Sequence, residues 1–266
     1  VTWIETADGV LARRYAELDQ TLGLVMGTER CLVVDTGTDD VHGEEFASAI
    51  REVTPLPWSV VITHSHWDHF LGTSAFASAP VYAHPRCTAV IATDTADQVS
   101  DWAARYEAEG KSDLASRLRA ATVVMPDREV TGSVVLDLGD REVTLLHPGL
   151  GHTDNDLVVH VPDAGVVFAG DTVEQGAPPS VGRDGYPLEW PRALDVVLGL
   201  SPRVVVPGHG EPVDGVFVRE QRAEMGAVAA LFDGVRSGML TVEEALEQSP
   251  WPADATLPAL ERGQMA

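Results

Sequence analysis

Residues 63–70 read THSHWDHF, which places three histidines and an aspartate within six consecutive positions, His64 to His69. A solvated loop has no use for that composition, and a core would not hold it without partners. Imidazole and carboxylate together are the donors of zinc sites, and iron and manganese accept them too. In an extended chain alternate side chains share a face, so the spacing predicts His64, His66 and Asp68 on one side. His69 has the opposite parity and joins them only if the backbone turns near Asp68, into a helix beginning DHFLGTSAF. The segment then offers two adjoining donor groups, more than one tetrahedral ion takes, and the remaining donors must come from elsewhere in the chain.

Candidates for the remainder stand after apolar segments. VVIT precedes His64, TLLHPGLGHTDND carries His152, VVFAGDT carries Asp171 and RVVVPGHG carries His209. Each apolar run reads as a strand, and neighbouring glycines let backbone approach closely. Strand ends of this kind deliver their residues to one edge. Around them, VLARRY, TLGLVMG and RCLVVDTG, parted by turn-like DG and GTE, predict a meander. DDVHGEEFASAIREV has helical apolar spacing, WSVVIT reads as a strand and VYAHP as a shorter one. Strands resume at TVVM, SVVLDLG, EVTLLHPG, DLVVHVP and GVVFAGD. A Pro- and Gly-rich loop, EQGAPPSVGRDGYPLEWP, then leads to a helix at 191–199, the strand RVVVPG and a long helical stretch at 215–236. No linker or repeat interrupts, so residues 1–266 are expected to form a single α/β domain with helices outside a two-layered core. A helical insert at about 85–120 is expected to cover part of the site, and a C-terminal helical stretch to start at about 215.

The composition, 44% hydrophobic and 22% charged over 266 residues, is that of a soluble globular protein. Its apolar runs fall far short of the ~18 residues that span a bilayer, and the N-terminus lacks a basic-then-apolar leader. Cys31 and Cys87 form no disulfide framework and no CxxC pair, so a cytoplasmic location is expected. Eighteen basic residues against 41 acidic ones give a net charge of −23, with Lys111 the only lysine. Nucleic acid and anionic membrane would be repelled, which leaves a small molecule as the expected partner. The pattern fixes no oligomeric state.

The HSHWDH run, the GHT histidine, the GDT aspartate and the GHG histidine, in that order between LVVDTG and PGHG, resemble the metallo-β-lactamase-fold hydrolases. The resemblance implies an αβ/βα four-layer sandwich with a dinuclear site at one edge of the two sheets. It implies two Zn2+ ions, with His64, His66 and His152 on one, Asp68, His69 and His209 on the other, and Asp171 bridging them. It places Asp35 as a support acting through hydrogen bonds. Thr63 and Thr153 are expected to hydrogen-bond ligand carboxylates or backbone. His42, His84, His147 and His160 are given no metal role. Because true β-lactamases of the family generally lack an aspartate at the bridging position, Asp171 points to the glyoxalase, lactonase and general hydrolase branch. The acidic TVEEALEQSPW near the C-terminus speaks against glyoxalase II, and His66 against the oxygen-reducing di-iron branch.

The chemistry implied is hydrolysis of a small, neutral or weakly anionic carbonyl substrate: a lactone, ester or thioester. Two ions that share a water supply hydroxide near neutral pH, and Asp68 is expected to orient it. Trp67, Glu174, Tyr186 and Trp190 are expected on the walls of the substrate pocket, the last three because they lie in or beside a long loop. An iron-dependent oxygenase of a sulfur compound and a non-catalytic metal-binding module are the alternatives.

Overall fold

The structure, a computed structural model, describes residues 2–263. Among them, β1 (Trp3–Ala7), β2 (Val10–Arg14), β3 (Thr21–Met26), β4 (Cys31–Val34), β5 (Trp58–Val61), β6 (Val81–Ala83) and β7 (Arg128–Glu129) form one sheet in sequence order. β1 to β4 pair antiparallel, as a meander, and β4 to β7 pair parallel. Parallel pairing requires crossovers. α1 (Asp40–Val53), the single turn α2 (Trp67–Phe70), α3 (Pro85–Ala108) and α4 (Ser112–Ala120) lie within them. β8 (Ser133–Asp137), β9 (Glu142–Leu146), β10 (Val158–Val161), β11 (Val166–Glu174) and β12 (Val204–His209) form the second sheet in the order β12-β11-β10-β9-β8. Its pairs are antiparallel except β11 with β12, whose connection holds α5 (Trp190–Gly199). α6 (Gly215–Arg236), α7 (Val242–Gln248) and α8 (Ala253–Gly263) follow.

Strand alternation divides the apolar residues into layers. In β2 and β4, Val10, Ala12, Leu32 and Val34 turn inward to meet Val166 and Phe168 of β11 in a core between the sheets. Their neighbours Leu11, Cys31 and Val33 face outward, into a second cluster with Phe46 and Ile50 of α1 and Ile91 of α3. On the other side Val167 and Ala169 pack with Leu194 of α5 and Met225 of α6. A period of two along each strand therefore builds four layers: helices, sheet, sheet, helices.

Two sequence readings change. TVVM, residues 122–125, is not a strand: Thr122 donates to Asp40, while Val123 and Met125 stay exposed, and pairing with β6 begins only at Arg128. The chain also starts one strand earlier than the meander pattern indicates, with β1. α6 spans the residues expected of it, started by Asp214, whose side chain accepts from Val216 N and Phe217 N.

Candidate metal centre

The donor-rich segment follows β5. Residues 64–65 form a bend, and His66, at φ −80° and ψ 139°, is the last residue before α2. The turn therefore starts at Trp67, one residue early, and Asp68 leaves the face predicted for it. Asp68 joins His69 and His209, whereas His64 and His66 join His152 and Asp171; within each group one donor atom per residue lies within 4.8 Å of the others. His42, His84, His147 and His160 belong to neither group. His209 ends β12, and His152 lies in the connection from β9 to β10. Asp171 sits inside β11 beside Gly170, at φ +50°, where the register with β12 shifts. A Cβ on Gly208 would overlap Asp171 Oδ1, so glycine is what lets β12 approach this closely.

Asp171 stands between the groups. Its Oδ1 is 3.3 Å from His69 Nε2, and its Oδ2 is 3.2 Å from His209 Nε2 and 3.6 Å from His152 Nε2. Asp68 Oδ2 lies 3.4 Å from His209 Nε2 and 3.5 Å from His69 Nε2. His64 Nε2, His69 Nε2 and Asp171 Oδ1 are buried without a hydrogen-bond partner. Such orphaned atoms are costly unless they face a cation. Burial alone would depress His69 and His209, yet Asp171 and Asp68 hold both well above the ordinary histidine range. Burial pushes His64 and His152 down, His152 to about 4, so both imidazoles are neutral; His152 Nε2 lies 2.8 Å from His66 Nδ1. Three imidazoles with one carboxylate, beside two imidazoles with another, fit two divalent cations.

The imidazole nitrogens that face away are held in turn. His69 Nδ1 donates to Asp35 Oδ2 at 2.8 Å, and His64 Nδ1 to Thr63 Oγ1 at 3.1 Å. Thr63 donates from its N and Oγ1 to the same Asp35, which stands at φ 58°, a strained conformation for a residue with a Cβ. His209 Nδ1 donates to the Leu18 carbonyl at 2.8 Å, and His66 Nε2 to Asp184 Oδ2 at 3.0 Å. His152 Nδ1 lacks a partner, with Glu174 Oε1 3.8 Å away. The backbone is pinned as well: Gln98 accepts from Trp67 N and donates to the Ser65 carbonyl, Asn155 Oδ1 accepts from Ser65 N, and Gln20 donates to the Asp68 carbonyl. Thr153 bonds the backbone, its Oγ1 accepting from Asn155 N at 3.1 Å. Its N and Oγ1 donate to Asp156, whose carboxyl is pushed up to about 7 by burial.

The sequence profile of the metallo-β-lactamase superfamily matches residues 17–209. The chain belongs to the metallo-β-lactamase superfamily. It is a metallo-hydrolase, as its relatives are. A metallo-β-lactamase type 2 of Bacillus cereus is 29% identical over 219 residues, 80% of this chain and 74% of that one. An acyl-coenzyme A thioesterase MBLAC2 of Gallus gallus is 27% identical over 198 residues, 70% of each chain. The solved metallo-β-lactamase from Pontibacter korlensis superposes with a TM-score of 0.64 at 19% identity, covering 85% of this chain and 98% of that one. That likeness shows the shared four-layer fold.

In this member of the superfamily both donor groups open into one cavity of about 750 Å³, which His66, Asp68, His152, Asp171 and His209 line. Trp67 and Glu174 line it too. Tyr186 and Trp190 do not. The loop after β11 reaches the cavity with Gly176 to Asp184, then turns back: Tyr186 N donates to the Gly151 carbonyl and Trp190 N to the Tyr186 carbonyl. Trp190 is fully buried with its Nε1 donating to the Thr172 carbonyl, and Tyr186 stacks with Arg262. The opposite wall comes from α3, through Asp94, Gln98, Asp101, Trp102 and Arg105.

Proposed function

We propose that this chain is a dinuclear zinc hydrolase of a small carbonyl substrate, an ester, thioester or lactone. The observation that carries the reading is the pair of donor groups, with Asp171 between them, at the base of a single open cavity. Bound zinc supplies Lewis acidity, drawing the pKa of a coordinated water toward neutrality and polarising the carbonyl. The chain's own groups do the rest. Asp35 and Thr63 fix His64 and His69 so that their Nε2 atoms face the cavity base. Asp68, a carboxylate on that base, orients the attacking water and carries its proton to the leaving group. Trp67, 2% exposed and packed on Trp102, keeps bulk water from one side. The likeness to an acyl-coenzyme A thioesterase supports a carbonyl substrate, and Asp171 at the bridging position supports the ester and thioester classes over lactams.

Elemental analysis of the purified protein should find close to two zinc equivalents per chain. Lactones, aryl esters and thioesters should then turn over faster than phosphodiesters and cephalosporin-type lactams. Asp68→Ala should remain folded and lose at least ~10²-fold in rate. A phosphodiesterase activity that dominates the panel and vanishes in Asp68→Ala would overturn the carbonyl assignment, and a single iron with oxygen consumption would overturn the hydrolase.

A further inference from the structure

The cavity above the metal centre is charged, and its charge is unevenly opposed. Four aspartates that are not in the donor groups line it among the described residues, Asp19, Asp94, Asp101 and Asp184, against the guanidiniums of Arg105 and Arg183 in the lining and that of Arg14, which holds both oxygens of Asp19 from outside it. Both lining guanidiniums already face a carboxylate. Arg183 grips both carboxylate oxygens of Asp94, at 2.8 and 2.9 Å, and feels the charge of Asp184 and Asp101 besides. Arg105 donates to Glu109 at 3.0 Å and lies over the Trp102 ring at 4.6 Å. A phosphate or carboxylate entering the cavity would find Arg183 already held by Asp94, and only the Nη groups of Arg105 beyond its bond to Glu109. It would do so against a surface whose overall charge is −23.

From this arrangement we infer that the enzyme selects acyl substrates whose leaving group is cationic or neutral and rejects polyanionic ones, coenzyme A thioesters included. The inference rests on the carbonyl-hydrolase reading, because it assigns the cavity base to the acyl carbonyl and the aspartate-rich walls to the leaving group. The potential near the donor groups becomes positive when dications bind, while the walls keep their net negative charge. A substrate with an electron-rich carbonyl at one end and an ammonium at the other matches both. Field focusing in a cleft of one sign alters association by 10-fold or more, and salt erases the effect.

Three thioacetates test this with one reactive bond: S-acetylthiocholine carries a positive leaving group, S-acetyl-N-acetylcysteamine a neutral one and acetyl-coenzyme A a polyanion. For the zinc-loaded enzyme kcat/KM should fall in that order, by about tenfold from first to last at low salt, with the spread shrinking at about 0.5 M salt. Asp101→Arg should narrow the ratio of the cationic to the anionic rate. A second readout needs neither metal nor turnover. Trp102 lines the cavity, so the fluorescence difference between the wild type and Trp102→Phe should be quenched more by a cationic pyridinium than by iodide. Equal rates on all three thioesters, or an advantage for acetyl-coenzyme A with iodide the better quencher, overturns the inference. If none of the three is hydrolysed while the quenching order holds, the wall charge stands and the carbonyl-hydrolase reading falls instead.

Discussion

Asp35 concentrates much of the centre's order in one side chain. Its Oδ1 accepts from Thr63 N, and its Oδ2 accepts from Thr63 Oγ1 and His69 Nδ1. An amide cannot reproduce this pattern, because its NH2 would meet the donors of Thr63 and His69. Asparagine does tolerate the φ of 58°, so Asp35→Asn is expected to fold and to bind metal about 10- to 100-fold more weakly, read by chelator competition. Unchanged affinity would show that His69 needs no such anchor. His42 offers a test of stability in place of function. Burial depresses it to about 4 despite Asp39, Glu45 and Asp68, with Arg117 adding to the depression, and its Nδ1 accepts from Thr38 N. Its folded pKa lies below the unfolded value of ~6.5, so the unfolded chain binds the extra proton between the two. Stability from a neutral His42 is thus present above pH ~6.5 and lost as the pH falls toward 4, by up to about 3 kcal/mol. Denaturant titrations of metal-free protein at several pH values should show a shallower loss in His42→Gln than in the wild type. Parallel curves would exclude His42 as a source of acid sensitivity.

At the scale of elements, the strands that bear donors were legible because an apolar run ending in Gly, His or Asp leaves few other readings. The pattern marked the strands leading to His64, His152, Asp171 and His209, and it marked α6 to its bounds. What could not be read was where one element lends a side chain to another. Gln98 is one of many polar residues in α3, with nothing in its neighbours to say that its amide faces Trp67 N and the Ser65 carbonyl. Asp184 sits in GRDG, which reads as a turn, and the bond to His66 exists only because the loop folds over the cavity. The parity argument failed at Asp68 for a local reason, since a helical turn begun at Trp67 replaces period two with period 3.6. α3 lines the cavity and also braces the donor segment. Gln98→Ala would leave the buried Trp67 N–H without a partner, which costs about 1–3 kcal/mol. It should lower both the unfolding midpoint and the metal affinity. If only the midpoint moves, α3 is a wall and nothing more.

Over the whole molecule, the centre and the surface pull in the same direction. A net charge of −23 makes the folded chain repel itself, and the donor groups add the buried carboxylates of Asp68 and Asp171 to one small volume. Two dications would relieve both, because they cancel part of the total charge and occupy the place where His69 and His209 otherwise hold protons. Binding to the native state alone raises stability by RT ln(1 + [L]/Kd), about 4 kcal/mol at a thousandfold excess over Kd. At roughly 2–4 °C per kcal/mol for a chain of this size, chelation should lower the unfolding temperature by about 10 °C. The long-range repulsion is screened by salt, whereas the contribution of the ions, made at short range in a buried site, is not. Raising the ionic strength should therefore lift the unfolding temperature of both forms and leave most of the gap between them. A gap that closes entirely at high salt would mean that the ions act as diffuse counter-charge. A gap that persists ties the stability of the fold to the groups centred on Asp171.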